Sequence, residues 1–94
     1  MSDKELLELA AKAAGLTIKR WVQENYVVVN DGDKAYGWSP LIYDSDALRL
    51  AVRLNLWEAV RYGYLHADSS DKDPCAATRR SITRAAAEIG RNMK

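Results

Sequence analysis

Arg49 and Arg53 stand four residues apart, and Arg80, Arg84 and Arg91 follow one another at intervals of four and seven. On helices, each set falls on a single stripe. Guanidinium stripes bind phosphates, nucleic-acid backbones or acidic proteins. The competing reading is a solvated face with local ion pairs, such as Arg84 with Glu88. The aromatic residues are the second source of chemistry: three tryptophans (Trp21, Trp38, Trp57) and five tyrosines (Tyr26, Tyr36, Tyr43, Tyr62, Tyr64), with no phenylalanine. Rings with a polar handle suit interfaces and ligand walls, though a Trp/Tyr core with hydroxyls at its rim accounts for them equally well. A flat anionic ligand held between rings and guanidinium groups draws on Arg49, Arg53, Trp38, Tyr43 and Tyr64. A nucleic-acid interface draws instead on Arg80, Arg84 and Arg91.

Other chemistries find no support. His66 and Cys75 are the sole histidine and cysteine, too few for a structural zinc site. The Asp68/Asp71/Asp73 loop lacks the central glycine and terminal glutamate of a calcium loop. No nucleophile motif surrounds His66, which reads as the polar tip of a strand end. Asp44 and Asp46 precede a helix, where helix capping explains them better than acid–base work. The five glycines are scattered and form no phosphate cradle. No catalytic residue, metal or cofactor is expected, and the chain reads as a binding protein rather than an enzyme.

Length and charge set the frame. Ninety-four residues make one domain, residues 1–94. One cysteine allows no disulfide within the chain, which fits a reducing compartment. No apolar run approaches the roughly 20 residues a membrane span requires, and the first residues lack the pattern of a signal peptide. A net charge of +1 is too balanced to imply nucleic acid or membrane. Its distribution is uneven: five basic residues against Glu88 alone from 75 to 94, and eight acids against five bases from 31 to 73.

These residues must be positioned by a handful of elements. Ser2 and Glu5 have capping-box spacing, predicting a helix from about residue 3 that Gly15 ends. Thr17 to Gln23 and Tyr26 to Val29 read as strands joined at Glu24-Asn25. Asn30-Asp31-Gly32-Asp33 then turns into a strand from Lys34 to Trp38. Tyr26, Val28 and Tyr36 would share one face, and the valine run implies a sheet covered on both sides. Asp44 or Ser45 caps a second helix, with Asp46 near its positive end. Leu48, Ala51, Val52 and Leu56 form one apolar face of that helix, and Leu50 and Leu54 another. Val60, Tyr62, Tyr64 and His66 alternate, predicting a strand over about 58–66, with a helical continuation as the rival. Ala67 to Asp73 is a polar loop. Asp73 then caps a last helix, with Pro74 at its first position and Thr78, Ile82, Ala85, Ile89 and Met93 on its buried face. The expected class is α+β: an α/β/α sandwich in which three helices flank a small, mainly antiparallel sheet of three to four strands.

The segment Trp38-Ser39-Pro40-Leu41, followed by Asp44-Ser45-Asp46-Ala47-Leu48-Arg49-Leu50-Ala51-Val52, resembles the phage ABA sandwich domain, a family of small bacteriophage proteins. The last helix, Ala76 to Gly90, looks like the closing helix of such proteins. The resemblance implies helices layered on a sheet, a phage origin and action in the cytoplasm of an infected bacterium; it carries over no catalytic residues. Small phage proteins without enzyme motifs are often counter-defence factors. The leading expectation is therefore a binding protein that sequesters a nucleotide messenger. A blocker of a host defence protein is the alternative, and a small nucleic-acid binder a lesser one. A homodimer or larger assembly is expected, because Leu50, Leu54 and the aromatics exceed what one small core needs.

Overall fold

In the computed structural model, which describes residues 2–65 and 73–93, the chain runs α1 (Asp3–Ala14), β1 (Thr17–Gln23), β2 (Tyr26–Asp31), β3 (Lys34–Trp38), α2 (Asp44–Leu54), α3 (Trp57–Leu65) and α4 (Pro74–Arg91). The three strands form one antiparallel sheet in the order β1-β2-β3. The fold is α+β, as expected, with four helices where three were expected.

Local chemistry sets most of the boundaries. The Glu5 N–H donates to Ser2 Oγ at 3.2 Å, and Gly15 closes α1 in the left-handed region at φ 75°. Gly32 takes φ 65° in the turn that returns β2 into β3, a conformation that glycine adopts without steric cost. Asp73 Oδ1 accepts the N–H groups of Cys75 and Ala76, and Pro74 opens α4. The start of α2 departs from expectation. Its cap position is Tyr43, which supplies no side-chain hydrogen bond; Asp44 turns away to Arg79, with 2.6 Å between Asp44 Oδ1 and Nη1.

The core lies between the sheet's inner face and the helices. Val27 and Val29 are fully buried and Trp38 is 4% exposed; full burial of each valine is worth roughly 1.5–3 kcal/mol. They pack with Leu7, Ala10 and Ala14 of α1, Ala47, Leu50 and Ala51 of α2, and Ile82 and Ala86 of α4. Because Val29 pairs with Tyr36 and Val28 with Gly37, Tyr36 belongs to the inner face. It does not share the side of Tyr26 and Val28. On that opposite side Arg20, Ala35 and Gly37 are exposed and Tyr26 and Val28 half-buried, so the sheet is covered on one face, not two. Tyr26 leans across Gly37, where its hydroxyl fills the space of a missing Cβ.

The segment expected as a strand over 58–66 is the helix α3. Its apparent alternation is incidental, since the residues that touch the interior recur at helical spacing. Leu56, Ala59 and Val60 pack on the core, and a Cβ on buried Gly63 would lie 2.7 Å from Thr78 Cα of α4. Ser81 Oγ donates to the Ala59 carbonyl at 2.7 Å. His66 and most of the expected Ala67–Asp73 loop fall outside the described residues.

The apolar face of α2 also differs from expectation. Leu50 is core and Leu54 packs against it, whereas Leu48 and Val52 are 55% and 58% exposed. In α4 the buried face is Ile82, Thr83, Ala86, Ala87 and Gly90; Ile89 and Met93 are exposed. Small residues dominate there because α4 runs close against the other helices. A Cβ on Gly90 would collide with the Leu9 carbonyl of α1.

That contact yields a test of the packing. At an open helical site, glycine to alanine stabilises by about 1 kcal/mol. Here Gly90→Ala should destabilise by about 1–3 kcal/mol in urea unfolding, as overpacking does. A gain in stability would mean that the two helices do not approach this closely.

Candidate functional site

A cleft of about 340 Å³ opens between the β2–β3 hairpin, the end of α1 and the exposed edge of α2. The hairpin register makes one wall: Asp31 pairs with Lys34, and Tyr36 and Trp38 follow on the same face of β3. Helix α2 makes the other, with Asp46 at its buried base and Arg49 and Arg53 at the exposed rim. The last two are one turn apart, the spacing at which helix side chains are neighbours.

Two hydrogen-bonded supports hold the walls. Asp46 is 8% exposed, and its Oδ2 accepts the Ser39 N–H at 3.0 Å in a buried bond. This ties the end of β3 to the first turn of α2 across the Pro40 turn. From outside, Arg79 Nε donates to the Leu41 carbonyl at 3.0 Å while its Nη1 reaches Asp44. The stretch from Trp38 to Asp46 is thus pinned to α2 and α4 by its own carboxylates and carbonyls.

The charges inside the cleft are unequal in number and freedom. Asp31 Oδ2 meets Arg53 Nη1 at 3.5 Å and accepts the Tyr36 hydroxyl at 3.4 Å, both longer than the roughly 2.7–2.9 Å of a tight charge-assisted bond. Arg49 and Lys34 have no ion-pair partner among the described residues. Three cations face two carboxylates, one of which is committed to Ser39. Such a cleft favours an anion, and two guanidinium groups one turn apart lower their mutual repulsion by sharing one.

Three of the five expected ligand residues meet here: Arg49, Arg53 and Trp38. Trp38 is a buried floor, not a free stacking platform; the half-buried ring of Tyr36 is the one a flat ligand can reach. Tyr43 lies elsewhere, edge-on to Tyr26 with ring centroids 6.0 Å apart. Tyr64 belongs to the last turn of α3, and its side chain lies outside the described set. The α4 arginines do not act as one free stripe. Arg80 pairs with Asp3 at 3.0 Å and Arg91 with Glu88 at 3.4 Å, leaving Arg84 exposed without the expected Glu88 partner. Asp31, Lys34, Tyr36 and Asp46 were not anticipated. The hairpin register was the available signal, since it sets Asp31 and Tyr36 on the valine face.

A second hollow, about 540 Å³, lies between α2, α3 and the start of α4, lined by Leu48, Val60, Ile82 and Cys75. It offers little polar anchorage. No cluster of three potential metal ligands occurs among the described residues, and none of their helices is long and apolar enough to cross a membrane.

The Tyr36 hydroxyl titrates above its ordinary value of 10.0. Burial is the main cause, followed by the negative charge of Asp31 and the bond donated to it; Asp46 adds to this and Arg53 opposes it. The folded state therefore keeps this proton where the unfolded chain, at about 10, has lost it. The contribution is whole below that pH and is lost as pH rises through the raised value. Wild-type stability should fall more steeply than that of Tyr36→Phe above pH 10, with parallel slopes below it, in denaturant melts across the pH range. Equal slopes above pH 10 would contradict the hydroxyl's placement.

No protein-family model, curated protein or solved structure matches this chain.

Proposed function

We propose that this chain is a non-enzymatic binding protein that holds a nucleotide in the cleft between β3 and α2. The observation that carries the reading is Arg49: a guanidinium at the rim of a 340 Å³ cleft, one turn from Arg53, with no carboxylate partner among the described residues. The volume sits at the small end of ligand pockets, roughly 300–1,000 Å³. That suits a mononucleotide within one chain. A dinucleotide messenger would extend beyond it, towards solvent or a second copy. With the sequence resemblance to small phage proteins, the reading extends to a counter-defence role: sequestering a nucleotide messenger in the cytoplasm of an infected bacterium.

A second reading, self-association or the blocking of a host defence protein, is favoured by a separate surface. Leu48 and Val52 project from α2, and Trp57 at the start of α3 is 51% exposed. Nucleic acid has weaker support, because Arg80 and Arg91 are each engaged by a carboxylate.

The two surfaces separate in one experiment. Calorimetry with AMP, ATP, cyclic AMP and cyclic dinucleotides should give saturable binding to the wild type. Arg49→Ala should weaken it about 10–100-fold, since hydrogen bonds to charged groups contribute about 1.5–3 kcal/mol. Leu48→Asp should leave nucleotide affinity intact and abolish any assembly seen by light scattering. Absence of binding to the whole panel would refute the nucleotide reading, and assembly that survives Leu48→Asp would refute the apolar surface as its seam.

A further inference from the structure

Asp31 is out of place in a cleft read as an anion site. It lies on the cleft wall with its side chain 38% exposed, and repels any phosphate that approaches it. Its links to the protein are slack: both the Arg53 and Tyr36 contacts fall on Oδ2, at 3.5 Å and 3.4 Å. Oδ1 has no hydrogen bond among the described residues. An ionised carboxylate offers about four acceptor positions and no donor, so this one has room only for donors from a ligand. Burial under a ligand without them would leave Oδ1 unpaired, which costs affinity.

The charges are also ordered along the cleft. Arg53 stands beside Asp31, and Arg49 one turn further towards the start of α2, with Asp46 beyond it turned to Ser39. A ligand satisfied at both ends puts an anionic group on Arg49 and presents hydroxyl donors to Asp31. A ribose carrying a phosphate does this, because its adjacent hydroxyls can donate together to one carboxylate.

Resting on the nucleotide reading of this cleft, we propose that Asp31 is its specificity residue, selecting ribonucleotides over deoxyribonucleotides through the sugar hydroxyls. Sites built to hydrogen-bond a hydroxyl reject the analogue that lacks it, because their polar group is left unpaired. For a half-exposed carboxylate the expected preference is modest, about tenfold. Removing Asp31 removes the preference and leaves phosphate recognition in place or improved, since a repelling charge has gone.

The test is calorimetric titration of AMP and 2′-deoxy-AMP into wild type, Asp31→Ala, the shape-conserving Asp31→Asn and Arg49→Ala. The expected result is about a tenfold preference for AMP in the wild type, its loss in Asp31→Ala and its reduction in Asp31→Asn, with 2′-deoxy-AMP bound at least as tightly as before. Should Asp31→Ala fail to fold, as judged by its thermal midpoint, Asp31→Asn decides. Equal wild-type affinity for the two nucleotides, or a preference that survives both substitutions, overturns the role of Asp31. The cleft reading then stands, provided Arg49→Ala still weakens both ligands. Failure of both nucleotides to bind the wild type overturns the cleft reading and this inference with it.

Discussion

One buried hydrogen bond organises the middle of this molecule: the Asp46 carboxylate accepting the backbone N–H of Ser39. It joins the residue just after β3 to the first turn of α2 where water cannot replace it. Losing the carboxylate would leave a buried donor unpaired, a cost of about 1–3 kcal/mol. The bond also sets the rotation of α2 about its axis. With Asp46 turned inward, Leu50 lies one turn along on the same side and fills the core. Arg49 and Arg53 are then brought to the rim facing β3. The cleft is thus a consequence of how the helix is anchored, and Arg79, bonded to Leu41 and Asp44, holds the connecting turn from the other side.

The helical layer follows a different constraint. Helix α4 packs against α1, α2 and α3, and this closeness is reached by shortening side chains at the crossings. Gly90 lies against the Leu9 carbonyl, Gly63 against Thr78, and Ala10, Ala86 and Ala87 are fully buried. Small residues let backbones approach, so the layer is held by close contact along helices. Larger apolar residues are left over on the outside, notably Leu48, Val52 and Trp57. The exposed apolar surface and the tight interior are two sides of one choice of side-chain size.

Elements with local punctuation were legible in the sequence. Ser2 and Gly15 bracket α1, Gly32 turns the hairpin, and Asp73-Pro74 opens α4; each acts within a few residues of itself. What failed depended on contacts distant in sequence. Val60, Tyr62 and Tyr64 mimic a strand by alternation, but Leu56, Ala59, Val60 and Gly63 turn inward at helical spacing, and the Gly63 contact exists only against α4. The same holds for α2: a helix apolar on two sides does not announce which side is core, and the Asp46–Ser39 bond makes that choice. Of the candidate site, the arginines were visible as a spaced pair. Their partners across the cleft were hidden because a strand register had to place Asp31 and Tyr36 on the inner face first.

The functional reading requires that a mononucleotide bind between β3 and α2. Nuclear magnetic resonance of the isotope-labelled chain, followed through a titration with AMP, tests it residue by residue. The expected shifts concentrate on Asp31, Lys34, Tyr36, Arg49 and Arg53, while Tyr26, Val28 and Gly37 on the open sheet face stay still. Shifts centred on that open face or on Leu48 and Val52, or a spectrum that does not move at saturating nucleotide, would contradict it.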